Sequence, residues 1–160
     1  MPCDRQTFQV LTYPYSKDNA AVFYKDKPLP GVHAPTLQVL AHEYARDKDQ
    51  VFFKSHIVAG ADAATFTLFA ENDERTELDS YAKDAHTVYL EGKKITGADP
   101  ASLKLLSLGY SIDDNHVFYK TKLISGANPA GFRVYDHGHG DADAEDTIHH
   151  YLAGKRVTIQ

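Results

Sequence analysis

Apolar and polar positions along this chain fall into short bursts, and the bursts recur as one long phrase. Each phrase opens on a tyrosine, followed by two residues, Asp, three residues, Val and two aromatic or apolar residues. Gly, a small residue and a second short apolar stretch then close it. The openings are Tyr15, Tyr44, Tyr81 and Tyr110, spaced by 29, 37 and 29 residues. A fixed period of this kind marks tandem structural repeats, which set the architecture before any local assignment does. Two fragments extend the series. Asp4, Phe8, Val10 and Leu11 match the end of a copy, and Asp146, Tyr151, Leu152, Gly154 and Val157 match the beginning of another.

Within a copy the polarity pattern predicts β-structure. Leu106, Leu108, Tyr110 and Ile112 alternate with small or polar residues, as do Leu11, Tyr13 and Tyr15, which is the period-two mark of a half-buried strand. Asp18, Asp47, Asp84 and Asp113 then begin a turn, since an Asp side chain can accept from backbone amides just ahead of it. Val22-Phe23-Tyr24 and its counterparts read as a second strand. Glu91-Gly92 reads as a tight hairpin into a third, which ends at Leu29, Val58, Ile95 or Ile124. Pro28 makes that third strand short or places it at an edge. Gly97-Ala98-Asp99-Pro100 reads as a break, an N-cap and a first-turn proline opening a helix of one or two turns.

The predicted fold is therefore mainly β: tandem three-stranded antiparallel meanders, each with a one- to two-turn helix, about five repeat equivalents in all. Residues 1–160 form a single repeat domain, with a half-repeat over 1–14, repeats over 15–43, 44–80, 81–109 and 110–142, and a half-repeat over 143–160. The terminal halves complement each other, so the array either closes on itself or ends open.

Composition narrows the class. At 160 residues and 42% hydrophobic, the chain can bury a sizeable core. No stretch of about 18 apolar residues is present to span a membrane. The N-terminus lacks the apolar run of a secretory signal, which points to the cytoplasm, or to the periplasm if a signal peptide has been removed. Cys3, the single cysteine, falls on the repeat position of Ala61, Ala98 and Ala127, so it is expected to be a small buried residue rather than a lipid-attachment site. Eighteen Tyr and Phe rings and no Trp supply the large side chains. The columns Phe23, Phe52, Tyr89, Phe118 and Tyr24, Phe53, Tyr119 are expected to be layered core, against the alternative of an exposed stacking platform.

Charge changes the picture most. The formal net charge is −5. The long spacing before Tyr81 holds an insertion with Glu71, Asp73, Glu74, Glu77 and Asp79 against Arg75, a balance of −4. A smaller insertion after Tyr135 carries Asp136 and Asp141, a balance of −2, so the repeats themselves are nearly neutral. Both interrupt the same junction, between the predicted helical turn and the tyrosine strand. Insertions at one junction of a repeat array often mark its binding face, and acidic loops there would draw a basic partner.

Other chemistry is sparse. The recurring Asp column is turn chemistry rather than a metal ladder. Lys27, Lys93, Lys122 and Lys155, with His56 in the same slot, suit exposed edges that resist aggregation. His137-Gly-His139-Gly-Asp141, with His149 and His150, is the one metal-like cluster, but it is a Gly-rich loop with no familiar zinc spacing. Asp141-Ala-Asp143-Ala-Glu145 lacks the glycine and closing Glu of a calcium loop. No nucleophile elbow or phosphate-cradling loop occurs. The chain is expected to be no enzyme, to need no metal or cofactor, and, being acidic, to bind no nucleic acid.

The phrases Tyr81-Ala-Lys-Asp84, Val88-Tyr89-Leu90-Glu91-Gly92-Lys93-Lys94-Ile95 and Gly97-Ala98-Asp99-Pro100-Ala101-Ser102-Leu103 resemble the bacterial DKNYY repeat family. The likeness covers nearly everything outside the insertions and departs at His33-Ala34-Pro35, where Asp-Pro-Ala is usual. It implies a scaffold and carries over no catalytic residues. The expected function is a non-enzymatic protein-binding module. Its contact residues are Glu71, Asp73, Glu74, Glu77, Asp79, Asp136 and Asp141, and one version is an immunity protein that blocks a toxin through a basic surface. The alternative is a cell-envelope or carbohydrate-binding repeat protein.

Overall fold

The computed structural model describes residues 4–69, 80–139 and 141–159, with the backbone alone over 136–139. Five four-stranded antiparallel sheets follow one another, each with its strands in chain order. The first holds β1 (Gln9–Val10), β2 (Tyr15–Lys17), β3 (Val22–Tyr24) and β4 (Lys27–Pro28). The second holds β5 (Gln38–Val39), β6 (Tyr44–Arg46), β7 (Val51–Phe53) and β8 (His56–Ile57). The third holds β9 (Thr67–Leu68), β10 (Tyr81–Lys83), β11 (Val88–Leu90) and β12 (Lys93–Ile95). The fourth holds β13 (Lys104–Leu105), β14 (Tyr110–Ile112), β15 (Val117–Tyr119) and β16 (Lys122–Leu123). The fifth holds β17 (Arg133–His139), β18 (Ala142–Glu145), β19 (His150–Leu152) and β20 (Lys155–Val157). By contacts the chain divides into two compact units, Met1–Leu68 and Phe69–Gln160.

The mainly β tandem array is as expected, but the structural unit starts one strand earlier than the sequence phrase. The closing stretch of one copy becomes the first strand of the next sheet, as Gln9–Val10 does beside Tyr15–Lys17. The two terminal fragments thereby each finish a sheet with their own chain neighbours. Four copies and two halves make five whole sheets.

Two local expectations are corrected. The helices are essentially absent. In the connections between sheets the described residues show turns and a single 3-10 segment, Ala34–Thr36. That segment lies in the copy whose His33-Ala34-Pro35 departs from the pattern, and His33 makes no side-chain cap. Elsewhere one turn uses up the connection: the Leu103 N–H reaches the Asp99 carbonyl at 3.0 Å, and a strand begins at Lys104. The second correction concerns the run from Leu106 to Ile112. It is not one strand, because Ser107–Gly109 is a 3-10 turn with Leu108 at φ 57° and Gly109 at φ 79°. The alternation there came from a four-residue hairpin connection, not from pleating.

Ladders of two or three residues are marginal by themselves, so packing must hold the sheets. Directly paired residues share a face, and Tyr15 pairs with Tyr24, and Ser16 with Phe23. Within the first unit, Tyr15, Val22, Tyr24 and Leu29 of one sheet bury against Ala45 and Phe52 of the next. Within the second, Tyr81, Val88 and Ile95 bury against Phe118, and Tyr110, Val117 and Ile124 against Ala144 and Tyr151. Each sheet offers Tyr, Val and an aliphatic on one face, and a small residue plus an aromatic on the other. Fully burying one such ring is worth about 1.5–3 kcal/mol, roughly the scale of what an isolated short ladder lacks. Val22-Phe23-Tyr24 and Val51-Phe52-Phe53 are buried at every position because both faces of those strands are covered. The fifth sheet differs: where the others place Tyr and Val it has Asp143 and His150, both only half-buried.

Candidate functional site

The recurring polar residues tie the sheets together. Asp18, Asp47, Asp84, Asp113 and Asp146 are all buried. In each, one carboxylate oxygen accepts amides at its own turn; for Asp47 these are the N–H groups of Asp49 at 2.8 Å and Gln50 at 2.7 Å. In four of them the other oxygen is seen to accept an amide from the loop that precedes the sheet. Those donors are Asp4 for Asp18, His33 for Asp47, Asp99 for Asp113 and Asn128 for Asp146. Burial alone would push these carboxyls up, but the amide donors, preceded at Asp146 by the Tyr151 hydroxyl, outweigh it and hold Asp47, Asp113 and Asp146 below the ordinary Asp range. Tyr89 and Tyr151 also donate to Asp84 and Asp146. The turn reading of this column was right but incomplete, because the same carboxylate also clasps a distant loop.

A second tier repeats beside it. Thr7, Thr65 and Ser102 hydroxyls donate to Asp4, Asp62 and Asp99 three residues earlier. The oxygens of Thr7 and Ser102 then accept the amides of Asn19 and Asp114, one residue past the buried Asp. In the second sheet Thr36 accepts the Lys48 amide in the same way.

The opening tyrosines carry the third tie. The Tyr15 hydroxyl donates to the Glu43 carbonyl at 2.6 Å and lies 3.2 Å from that of Lys54, both on the next sheet. Beside it the Tyr24 hydroxyl donates to the Glu43 carboxylate, which also pairs with the Lys54 ammonium at 3.3 Å. Burial first, then the Glu43 contact, pushes Tyr24 up to about 12. Tyr110 donates to Asp143 at 2.6 Å and accepts the Gly154 N–H at 2.7 Å. Reading the sequence alone missed this role. The available signal was that the first column is Tyr in all four copies, never Phe, which sets the hydroxyl apart from the ring as something to be placed.

The residues expected to bind a partner are only partly visible. Glu71, Asp73, Glu74, Glu77 and Asp79 lie outside the described residues, as does Cys3. Asp136 lies on β17, where the backbone alone is described, and Asp141 is exposed just before β18. What is plain is where the insertions enter. In the first, second and fourth sheets the first hairpin connection is four residues, 11–14, 40–43 and 106–109. In the third sheet residues 69–80 occupy that connection, and in the fifth β17 is lengthened to seven residues with a register shift between Val134 and His139.

That lengthened strand corrects the reading of 137–139 as a Gly-rich loop, since His139 pairs with Ala142 across the hairpin. His149 and His150 approach different carboxylates, Asp146 at 3.5 Å and Glu145 at 3.7 Å. Asp143 and Glu145 sit on a strand, and Asp143 is occupied by Tyr110 and the Ala153 amide. Among the described residues no group of three or more His, Cys, Asp or Glu is placed to hold a metal. Phe23, Phe52, Tyr89 and Phe118 are buried, so that aromatic column is core. Lys27, Lys93, Lys122, Lys155 and His56 are exposed on the last strand of each sheet, as edge charges should be. No described helix is long and apolar enough to cross a membrane.

The model of the DKNYY family matches three overlapping stretches, residues 2–56, 44–97 and 81–158, which together cover nearly the whole chain. No curated protein and no solved structure matches it.

Proposed function

This chain belongs to the DKNYY family as a repeat module, and from that premise we propose that it is a non-enzymatic protein-binding scaffold whose acidic insertions contact a basic partner. One observation carries the reading. Both insertions enter the same hairpin connection of the structural unit, while the recurring polar residues are spent on tying sheets together. Residues present in every copy serve the scaffold, so specificity belongs to what is unique to one copy. The insertions hold the excess negative charge, with Glu71, Asp73, Glu74, Glu77 and Asp79 in one and Asp136 and Asp141 in the other. Such a charge distribution favours a partner with a basic face and fast, salt-sensitive encounter. A toxin neutralised in the cytoplasm by its immunity protein fits that chemistry.

The test is affinity capture from the source cell, followed by binding measurements with the partner recovered. Changing the five carboxylates of the first insertion to Asn or Gln should weaken binding about tenfold or more, and added salt should do the same. Unchanged binding after neutralisation, or a partner with an acidic contact face, would remove the reading.

A further inference from the structure

One recurring column has no partner inside the protein. The Asp column clasps loops, and the Val and aromatic columns are buried. The hairpin lysines Lys25, Lys54 and Lys120 lie over the ring beside them, 5.4, 4.9 and 5.6 Å from its centroid. The exception is Lys27, His56, Lys93, Lys122 and Lys155, which open the last strand of each sheet. All five are exposed, and among the described residues none of their side chains makes a hydrogen bond, an ion pair or a ring contact. Recurrence without an internal contact points to a contact outside.

The sign of the charge points the same way. Charge of either sign hinders pairing at an exposed strand. Edge protection therefore leaves unexplained why, in a chain of net charge −5 with 22 Asp and Glu, the five last strands hold no carboxylate. In the second unit they carry Lys93, Lys94, Lys122, Lys155 and Arg156. Lys93, Lys122 and Lys155 hold one face of their sheets, since they pair across their hairpins with Leu90, Tyr119 and Leu152 in turn. The packing carries these strands one after another: Ile95 of β12 buries against Phe118, and Ile124, just past β16, against Tyr151. A Cβ on Gly126 would lie 3.5 Å from the Arg156 guanidinium, so the fourth and fifth sheets also meet at this edge. Packed sheets sit about 10 Å apart, which makes the column a row of cations at a regular interval. Glu91, exposed in the hairpin before β12, is the carboxylate nearest to the row in the chain.

We propose that this row binds a linear acidic polysaccharide, its charged sugars lying across successive last strands. A repeating ligand matches a repeating cation, and contacts that are weak singly add up when they are linked. Local charge rather than net charge governs such an encounter. The last strands carry no aromatic residue and the columns Phe23, Phe52, Tyr89 and Phe118 are buried, so these strands give a nucleic acid nothing on which to stack its bases. On the last strands of the second unit Leu123 is the one exposed large aliphatic, too little apolar surface to enter a bilayer. Lysine is a compact ammonium charge, suited to carboxylate or sulfate groups that need no planar fork. The row is separate from the acidic insertions and does not depend on the protein-binding reading.

The test is biolayer interferometry of the full chain against polygalacturonate and dextran sulfate, with neutral dextran as the blank and circular dichroism to confirm that every variant is folded. Saturable, salt-sensitive binding to at least one acidic polymer, and none to dextran, is expected. Changing Lys93→Gln, Lys122→Gln and Lys155→Gln together should weaken it about tenfold or more. Lys25→Gln, Lys48→Gln and Lys104→Gln together remove the same charge from exposed lysines off the row, and should leave it within about twofold. No saturable binding, or an equal loss in both triple variants, overturns the proposal. So does tighter binding to oligothymidylate or to phosphatidylglycerol vesicles that the row variant loses, which would give the row to nucleic acid or to membrane.

Discussion

Asp113 and Asp99 lie fourteen residues apart, and the Oδ2 of Asp113 accepts the backbone N–H of Asp99 at 3.0 Å. Its Oδ1 accepts the amides of Asn115 at 2.9 Å and His116 at 2.6 Å. One buried carboxylate thus fixes a turn and fastens the loop that leads into its sheet. Removing it leaves three amides without their acceptor, at about 1–3 kcal/mol for each that water cannot reach. Asp113→Ala should lower stability by about 3 kcal/mol or more, read from urea unfolding. Asp113→Asn keeps one acceptor oxygen and should lose roughly half as much. Equal, small losses in both would mean the clasp contributes little.

The same clasp makes the protein acid-sensitive. Asp47, Asp113 and Asp146 are held below the ordinary Asp value despite burial, by the Tyr151 hydroxyl first at Asp146 and by amide donors at all three. A depressed folded value stabilises the native state above the unfolded value, near 3.9, and the gain disappears as pH falls towards the folded value. Melting temperature should be level from about pH 5 to 7 and drop steeply below about pH 4. A melting temperature that holds steady down to pH 2 would contradict this.

Alkali should act through the tyrosines. Burial first, and then hydrogen bonds or neighbouring charge, raises Tyr15 and Tyr110 strongly, and Tyr24 and Tyr151 to about 12. A raised folded value stabilises the native state fully below the unfolded value of about 10, and the contribution is lost as pH rises through the folded value. Ultraviolet titration should show these phenols ionising only together with unfolding, above about pH 11. Free ionisation of all ten tyrosines near pH 10, with the fold intact, would refute the buried ties.

Two Tyr→Phe variants should separate satisfied from orphaned hydroxyls. Tyr110→Phe strips a donor from Asp143 and an acceptor from the Gly154 amide, and should cost about 2 kcal/mol. Tyr81→Phe removes a buried hydroxyl that has no partner among the described residues, and should be neutral or slightly stabilising. Chemical denaturation of the two variants side by side checks the contrast.

Glycine substitutions provide a steric counterpart. A Cβ on Gly154 would come 2.4 Å from the Cβ of Tyr119, while one on Gly97 meets nothing within 4 Å, and both residues have positive φ, +75° and +85°. Gly97→Ala should therefore show only the left-handed backbone term, about 1–2 kcal/mol. Gly154→Ala should show that and the clash, for a clearly larger fall in melting temperature. Matching losses would place the cost in the backbone alone.

Much was legible in the sequence because repetition makes each position its own control. Tyr15, Tyr44, Tyr81 and Tyr110 set the period, the Asp column predicted a turn, and Pro28 predicted a strand that is short or at an edge, which β4 is. Those features depend on the propensity of residues close in the chain. Helix and strand limits were less legible, since a single turn after Asp99 or a four-residue hairpin through Leu108 imitates the opening of a longer element. The repeat's phase, which gives the first strand of each sheet to the copy before, was set by hydrogen-bonded pairing and not by the spelling of the phrase. Only the tertiary structure decided what the second Asp oxygen, the Tyr15 hydroxyl and the Tyr24 hydroxyl hold. Those are contacts from a sheet to its neighbour or to the loop that leads into it, and residues fourteen or more positions apart meet only once packing has brought them together.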